Sequence, residues 1–203
     1  MKIKINLLLF LFFSGLFFTV KSQNIIEPKK INDNQIILDG IINKEEWENA
    51  SKVSLDYEFK PGYNTPPDKK TEVYVFYSNK NLYIGFYAYD DSLEVRASIR
   101  QRDDMNMFIN DDWVNVKLDT YGDSRNNYNL VSNPFGSQAD ARQTDAIDEF
   151  ESYDINYNIE FETVGKIVND GYNVEYKIPF KNLPFPNKKN QEWKFRFFRR
   201  TYR

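Results

Sequence analysis

The stretch 71–119 constrains the fold more than any other, because it sets three β-strand patterns one after another with short breaks. Thr71–Tyr77 (TEVYVFY) and residues 82–89 (LYIGFYAY) are dense in β-branched and aromatic residues, with only Ser78-Asn79-Lys80-Asn81 between them. Two such runs around four polar residues predict a hairpin. In the second run Leu82, Ile84, Phe86 and Ala88 share one face, and Tyr83, Gly85, Tyr87 and Tyr89 the other. A third run, 112–119, alternates Val114, Val116 and Leu118 with Trp113, Asn115 and Lys117. Three ribbons of period two are expected to form the centre of an all-β fold, an antiparallel β-sandwich of the immunoglobulin or jelly-roll kind.

The remaining segments extend or cover that sheet. Residues 36–38 predict a short strand ended by the turn signal Asp39-Gly40. Asn43 followed by Glu46 has the spacing of a capping box, which predicts a short helical turn over 44–50. Trp47 on that turn is expected to point back at the sheet as a core plug. Residues 55–59 read as a strand and 60–68 as a Pro/Gly loop carrying Tyr63. After the centre, 128–132 predicts a strand closed by Asn133-Pro134-Phe135-Gly136, and 137–152 predicts irregular chain. Residues 155–161, 172–178 and 193–197 return to period-two alternation, which brings the expectation to about eight strands and no long helix.

The first 22 residues have the pattern of a secretory signal peptide: Lys2 and Lys4, an apolar run over 7–20, and Val20 and Ser22 placed for cleavage before Gln23. The apolar run is short for a bilayer span. The expected organisation is therefore a signal peptide at 1–22, a lead-in at 23–35 and a sandwich over 36–203 that is truncated at its carboxyl end. Such a chain is exported, to the periplasm, the outer membrane or the medium. Loss of residues 1–22 removes three lysines and no acid from 27 basic and 30 acidic residues, so the net charge is −6. An acidic chain without a basic patch excludes nucleic acid as a partner. The chain has neither cysteine nor histidine. Disulfides, thiolate metal sites and imidazole chemistry are all excluded, and the chain reads as non-catalytic.

The order of the segments ILDGIINKEEW (37–47), TEVYVFYSNKNLYIGFYAYD (71–90), NDDWVNVKLDTY (110–121) and GYNVEYKIPFKNL (171–183) resembles carbohydrate-binding module family 9, a relative of DOMON-type sandwiches. RQRDD (100–104), SNPFGSQAD (132–140) and WKFRFFRRTYR (193–203) further resemble the amino-terminal domain of large secreted proteins of the DUF5916 type. That resemblance implies a polysaccharide or oligosaccharide ligand, a β-rich region downstream, and a link to carbohydrate catabolism through attached glycoside hydrolases. It also implies a sugar-clamping tryptophan just before the DDWVNV strand, where this chain has Ile109, and a second one beyond Arg203. An acidic sugar contact of the family falls on Asn115.

Sugar recognition needs aromatic faces for C–H surfaces and planar amides for hydroxyls. The residues of those types near one mouth of the expected sandwich are Phe108, Asn110, Trp113 and Asn115, with Tyr128, Asn129 and Asn133 on the neighbouring strand and loop, and Tyr63 placed to flank them. Asp90, Asp91, Asp111 and Asp112 bracket one loop and offer oxygen ligands for calcium. Two other classes stay open: an interaction domain that has lost its sugar site, and a haem binder, for which Met1, Met105 and Met107 are the thioether ligands.

Overall fold

The computed structural model describes residues 25–144 and 152–202, so the signal-peptide pattern at 1–22 lies outside the described residues. Two sheets face each other. The first is built on β3 (Thr71–Tyr77), β4 (Asn81–Tyr89), β10 (Gly171–Pro179) and β9 (Glu162–Val168), hydrogen-bonded in that order. Two short strands, β1 (Lys29–Lys30, parallel) and β2 (Ser51–Ser54, antiparallel), both pair with β3. The second sheet runs β11 (Lys194–Arg200), β5 (Trp113–Asp119), β6 (Asn126–Ser132), β7 (Gln138–Thr144) and β8 (Tyr153–Asp154), antiparallel throughout.

The expected alternation decides the faces. Val73, Ile84, Phe86, Val114, Val116, Leu118, Leu130 and Val174 are wholly buried between the sheets. Each such aliphatic or aromatic side chain contributes about 1.5–3 kcal/mol on leaving water. Tyr176 crosses the interior to donate its hydroxyl to the Val114 carbonyl at 3.1 Å, so a core phenol is satisfied within the sandwich.

A second apolar cluster lies on the outer side of the first sheet. Helix α1 (Lys44–Trp47) starts at Asn43, whose Oδ1 accepts Glu46 N–H at 2.8 Å while its Nδ2 donates to Glu46 Oε2 at 2.9 Å. The first bond is the N-cap that the Asn43/Glu46 spacing predicts; the second ties the two side chains together, while the Asn43 N–H goes to the Ile41 carbonyl instead. The cap aims Trp47 at the sheet, where the ring is buried against Phe76 and Tyr83. Gly85 makes the space: a Cβ there would stand 2.5 Å from Ile42 Cδ1 and 3.1 Å from Trp47 Cη2. Among the described residues, no helix is long and apolar enough to cross a membrane.

Several local expectations are corrected. Residues 36–38 and 55–59 form no strand; the chain instead pairs with β3 one step away, through Ser51–Ser54. Residues 155–161 alternate as a strand would but run unpaired along the sandwich edge, burying Ile159 and Phe161, and pairing begins only at Glu162. The segment expected to be irregular after Ser137 contains β7, which pairs with β6 along seven residues. Its sequence, QADARQT, alternates small with polar side chains, so it carries no hydrophobic signal. It is held by ladder bonds and by the ion pair of Asp140 with Arg102. Residues 145–151 lie outside the described residues. The loop 90–110 ends in helix α2 (Asn106–Asn110).

Candidate functional site

The outer face of the second sheet follows from its register. Asn115 of β5 lies between Phe198 of β11 and Val131 of β6, and Lys117 between Arg196 and Asn129. Further across, Ala139, Ala141 and Gln143 of β7 pair with Val131, Asn129 and Asn127, and Tyr153 of β8 pairs with Gln143. Because side chains alternate, all of these stand on the face turned away from the core.

Amides line the base of this face. Asn115 Nδ2 donates to Asn129 Oδ1 at 3.4 Å, and Asn129 Nδ2 donates to Asn127 Oδ1 at 3.1 Å. Asn115 and Asn129 are buried, and Asn115 Oδ1 has no hydrogen-bond partner. A buried carbonyl oxygen left without a donor costs about 1–3 kcal/mol. It is therefore a place where a ligand hydroxyl gains more than it would from a satisfied surface. Ala139 and Ala141 keep the neighbouring floor low.

Two rings flank one ammonium above that floor. Lys117 Nζ donates to Gln143 Oε1 at 3.0 Å and to the Tyr153 hydroxyl at 2.9 Å. The same atom lies 5.3 Å from the centre of the Tyr153 ring and 5.5 Å from that of Phe198. Both rings are half-buried. Sequence reasoning missed both. Phe198 left a signal: in a strand of period two, the neighbours Phe197 and Phe198 must put one ring on each face. Tyr153 left none, because its strand is two residues long.

The predicted site residues divide. Asn115 and Asn129 are on this face, and Phe108 and Trp113 close one end of it. Phe108 meets Trp113 edge to face at 5.9 Å, packed with Met107 over Val131 and Ala139. Trp113 Nε1 is buried there and has no partner. Asn110 is exposed at the end of α2. Tyr128 is not part of the site. It pairs with Leu118 on the inward side and stacks on Tyr157, 5.8 Å between centres, and burial pushes its hydroxyl up to about 12. Asn133 is not part of it either. Its Nδ2 donates to the Ser98 carbonyl at 2.7 Å and to Asp111 at 2.9 Å, and its Oδ1 accepts Phe135 and Ser137 N–H, so it pins two loops. Tyr63 is exposed on its loop, between the bridged residues Glu58 and Thr65.

The four aspartates bracketing loop 90–110 do not converge. Asp90 pairs with Arg199 at 2.5 Å and Lys69 at 3.5 Å. Asp111 receives Arg100 through two nitrogens at 2.8 Å each. Burial raises the Asp111 carboxyl, but Arg100, Asn133 and the Ser98 N–H outweigh it and hold the group below its usual range. Asp112 accepts the Tyr202 N–H at 2.6 Å. Asp91 accepts Leu93 N–H at 3.0 Å. Among the described residues, no three acidic side chains gather as a metal site would require.

A family described as carbohydrate family 9 binding domain-like matches residues 37–198. No curated protein matches the chain by sequence. Among solved structures, an inferred carbohydrate-binding protein from Bacteroides uniformis aligns with a TM-score of 0.62 at 12% identity, over 85% of this chain and 81% of that one. A carbohydrate-binding module of family 9 from Caldicellulosiruptor kristjanssonii in complex with glucose aligns with a TM-score of 0.45 at 17% identity, over 83% and 76%. The same module in complex with cellotriose gives 0.45 and 17%, over 83% and 74%.

Proposed function

The chain belongs to the carbohydrate family 9 binding domain-like family, and from that premise we propose that it binds saccharides, without reacting with them, on the outer face of its second sheet. The observation that carries this reading is the pair of rings, Phe198 and Tyr153, flanking Lys117 over a floor of buried amides. Aromatic rings take the C–H faces of a sugar, and the amides of Asn115, Asn129 and Gln143 both donate and accept for its hydroxyls. The basic start and apolar run of residues 1–22 support export as the setting, with carbohydrate catabolism as the wider role through an attached region.

A face this open encloses little ligand area, so binding is expected on the order of 0.1–1 mM. Calorimetric titration of glucose and xylose oligosaccharides into the parent, Phe198→Ala and Tyr153→Ala tests it. Binding by the parent, lost in both variants at unchanged melting temperature, supports the reading. A parent that binds no oligosaccharide at millimolar concentration contradicts it.

A second reading, an interaction domain, is favoured by a broad open groove along β11, lined by Phe180, Phe185, Trp193 and Phe195 together with Phe59. Among the described strands β11 pairs only with β5, so one of its edges is open to another strand. This reading takes over if the titration fails.

A further inference from the structure

The register of the second sheet puts Lys117 directly opposite Arg196, both on the outer face. Like charges opposed in this way repel. Two residues along on the same face, Lys194 stands opposite Asp119. Asp119 is already engaged: Oδ1 accepts Tyr121 N–H at 3.1 Å and Gly122 N–H at 2.7 Å, and Oδ2 accepts Ser124 N–H at 2.7 Å. Lys117, Lys194, Arg196 and Arg125 together line a cavity of about 200 Å³, completed by Asp119, Asn127, Gln143, Ser124 and Thr144.

None of these four cations forms an ion pair among the described residues. Among the described residues Lys117 has the neutral acceptors Gln143 and Tyr153, and Lys194 donates to Ser124 Oγ at 2.7 Å. The arginines Arg100 and Arg102 of loop 90–110, by contrast, are taken up by Asp104, Asp111 and Asp140. Among the described residues, the cations of loop 90–110 are neutralised by acids, whereas these four gather around a hollow.

Building on the saccharide reading above, we propose that the ligand is an acidic saccharide, a sugar bearing a carboxylate or sulfate group that this cavity receives. Lys117 and Gln143 belong both to the ring-flanked floor and to the cavity, so the two subsites adjoin. A uronate carries its carboxylate one bond off the ring. A ring stacked beside Phe198 or Tyr153 therefore presents its acid group to the cations without a spacer. An oxygen anion between Lys117 and Arg196 turns their repulsion into two attractions, and the planar guanidinium donates two parallel hydrogen bonds to a carboxylate or sulfate. Arg196 is exposed, so the gain is moderate and salt-sensitive.

The test titrates the whole chain, at low and high salt, with a neutral glucose oligomer, a galacturonate oligomer of equal length, and inorganic sulfate alone. The uronate is expected to bind about tenfold more tightly than the neutral sugar at low salt, with the advantage shrinking as salt rises. Arg196→Gln should bring the uronate down to the neutral level and leave neutral binding unchanged. Equal binding of the two sugars by the parent overturns the charge preference and spares the saccharide reading; binding of neither overturns both. A uronate advantage that survives Arg196→Gln, or sulfate alone displacing the uronate at equal concentration, also overturns it, since the acid is then held elsewhere or without the ring.

Discussion

Trp47 Nε1 donates to Glu175 Oε1 at 3.1 Å, joining the capped helix to the central strand β10 across 128 positions of sequence. The other oxygen of Glu175 accepts the N–H groups of Asp39 at 2.9 Å and Gly40 at 2.7 Å. One buried side chain thus ties both the Asp39-Gly40 turn and Trp47 to the first sheet.

Trp47→Ala is expected to destabilise the fold by about 3–5 kcal/mol, because it empties the outer cluster and leaves Glu175 short of a donor. Denaturant unfolding measures it. An unchanged midpoint would remove Trp47 from the structural account.

Burial raises the Glu175 carboxyl to about 7, against the opposing pull of the Gly40 and Asp39 N–H groups and the Trp47 indole. The folded state therefore holds this proton more tightly than the unfolded one. The stability contributed by protonation is complete below about 4.5 and is lost as pH rises to about 7. Glu175→Gln, which cannot titrate, should lower stability modestly near pH 5 and flatten its decline between pH 5 and 7. Denaturation series at both ends of that window check this. A variant with the parent's slope would contradict it.

Asn133→Ala should cost about 2–4 kcal/mol and leave sugar affinity unchanged, because its amide serves the loops around Ser98, Asp111 and Ser137 rather than the outer face. Unfolding and titration of the same variant separate the two roles. Lost affinity at full stability would return Asn133 to the site.

Calcium and chelator should give the same melting temperature, within about 1 °C, because the oxygens of Asp90 and Asp111 are engaged by Arg199, Lys69 and Arg100. A rise of several degrees in millimolar calcium would show that a cation competes with those arginines.

The frame of this fold is legible wherever apolar residues recur at period two, as in β3, β4, β5 and β10. The N-cap at Asn43 is legible for the same reason: the signal is local. Strand β7 is not, since Ala139 and Ala141 occupy its outer face and Asp140 and Arg142 its inner one, and their partners, Arg102 and Asp154, lie outside the strand. The site is half legible. Asn115 and Asn129 follow from alternation, whereas Tyr128 and Asn133 share the same neighbourhood in sequence but face the core and the loops. The opposition of Lys117 and Arg196 depends on the register between β5 and β11, which lie far apart in the chain, and nothing local encodes it.

Where the ligand sits is tested most directly by heteronuclear NMR, with side-chain amide and backbone resonances followed during an oligosaccharide titration. Binding on the outer face of the second sheet predicts shifts gathered at the amides of Asn115, Asn129 and Gln143 and at Lys117, Tyr153 and Phe198. Shifts confined to the first sheet, where Tyr87 and Tyr89 stack at 4.4 Å, or to Phe180, Phe185 and Trp193 of the groove beside β11, would contradict it.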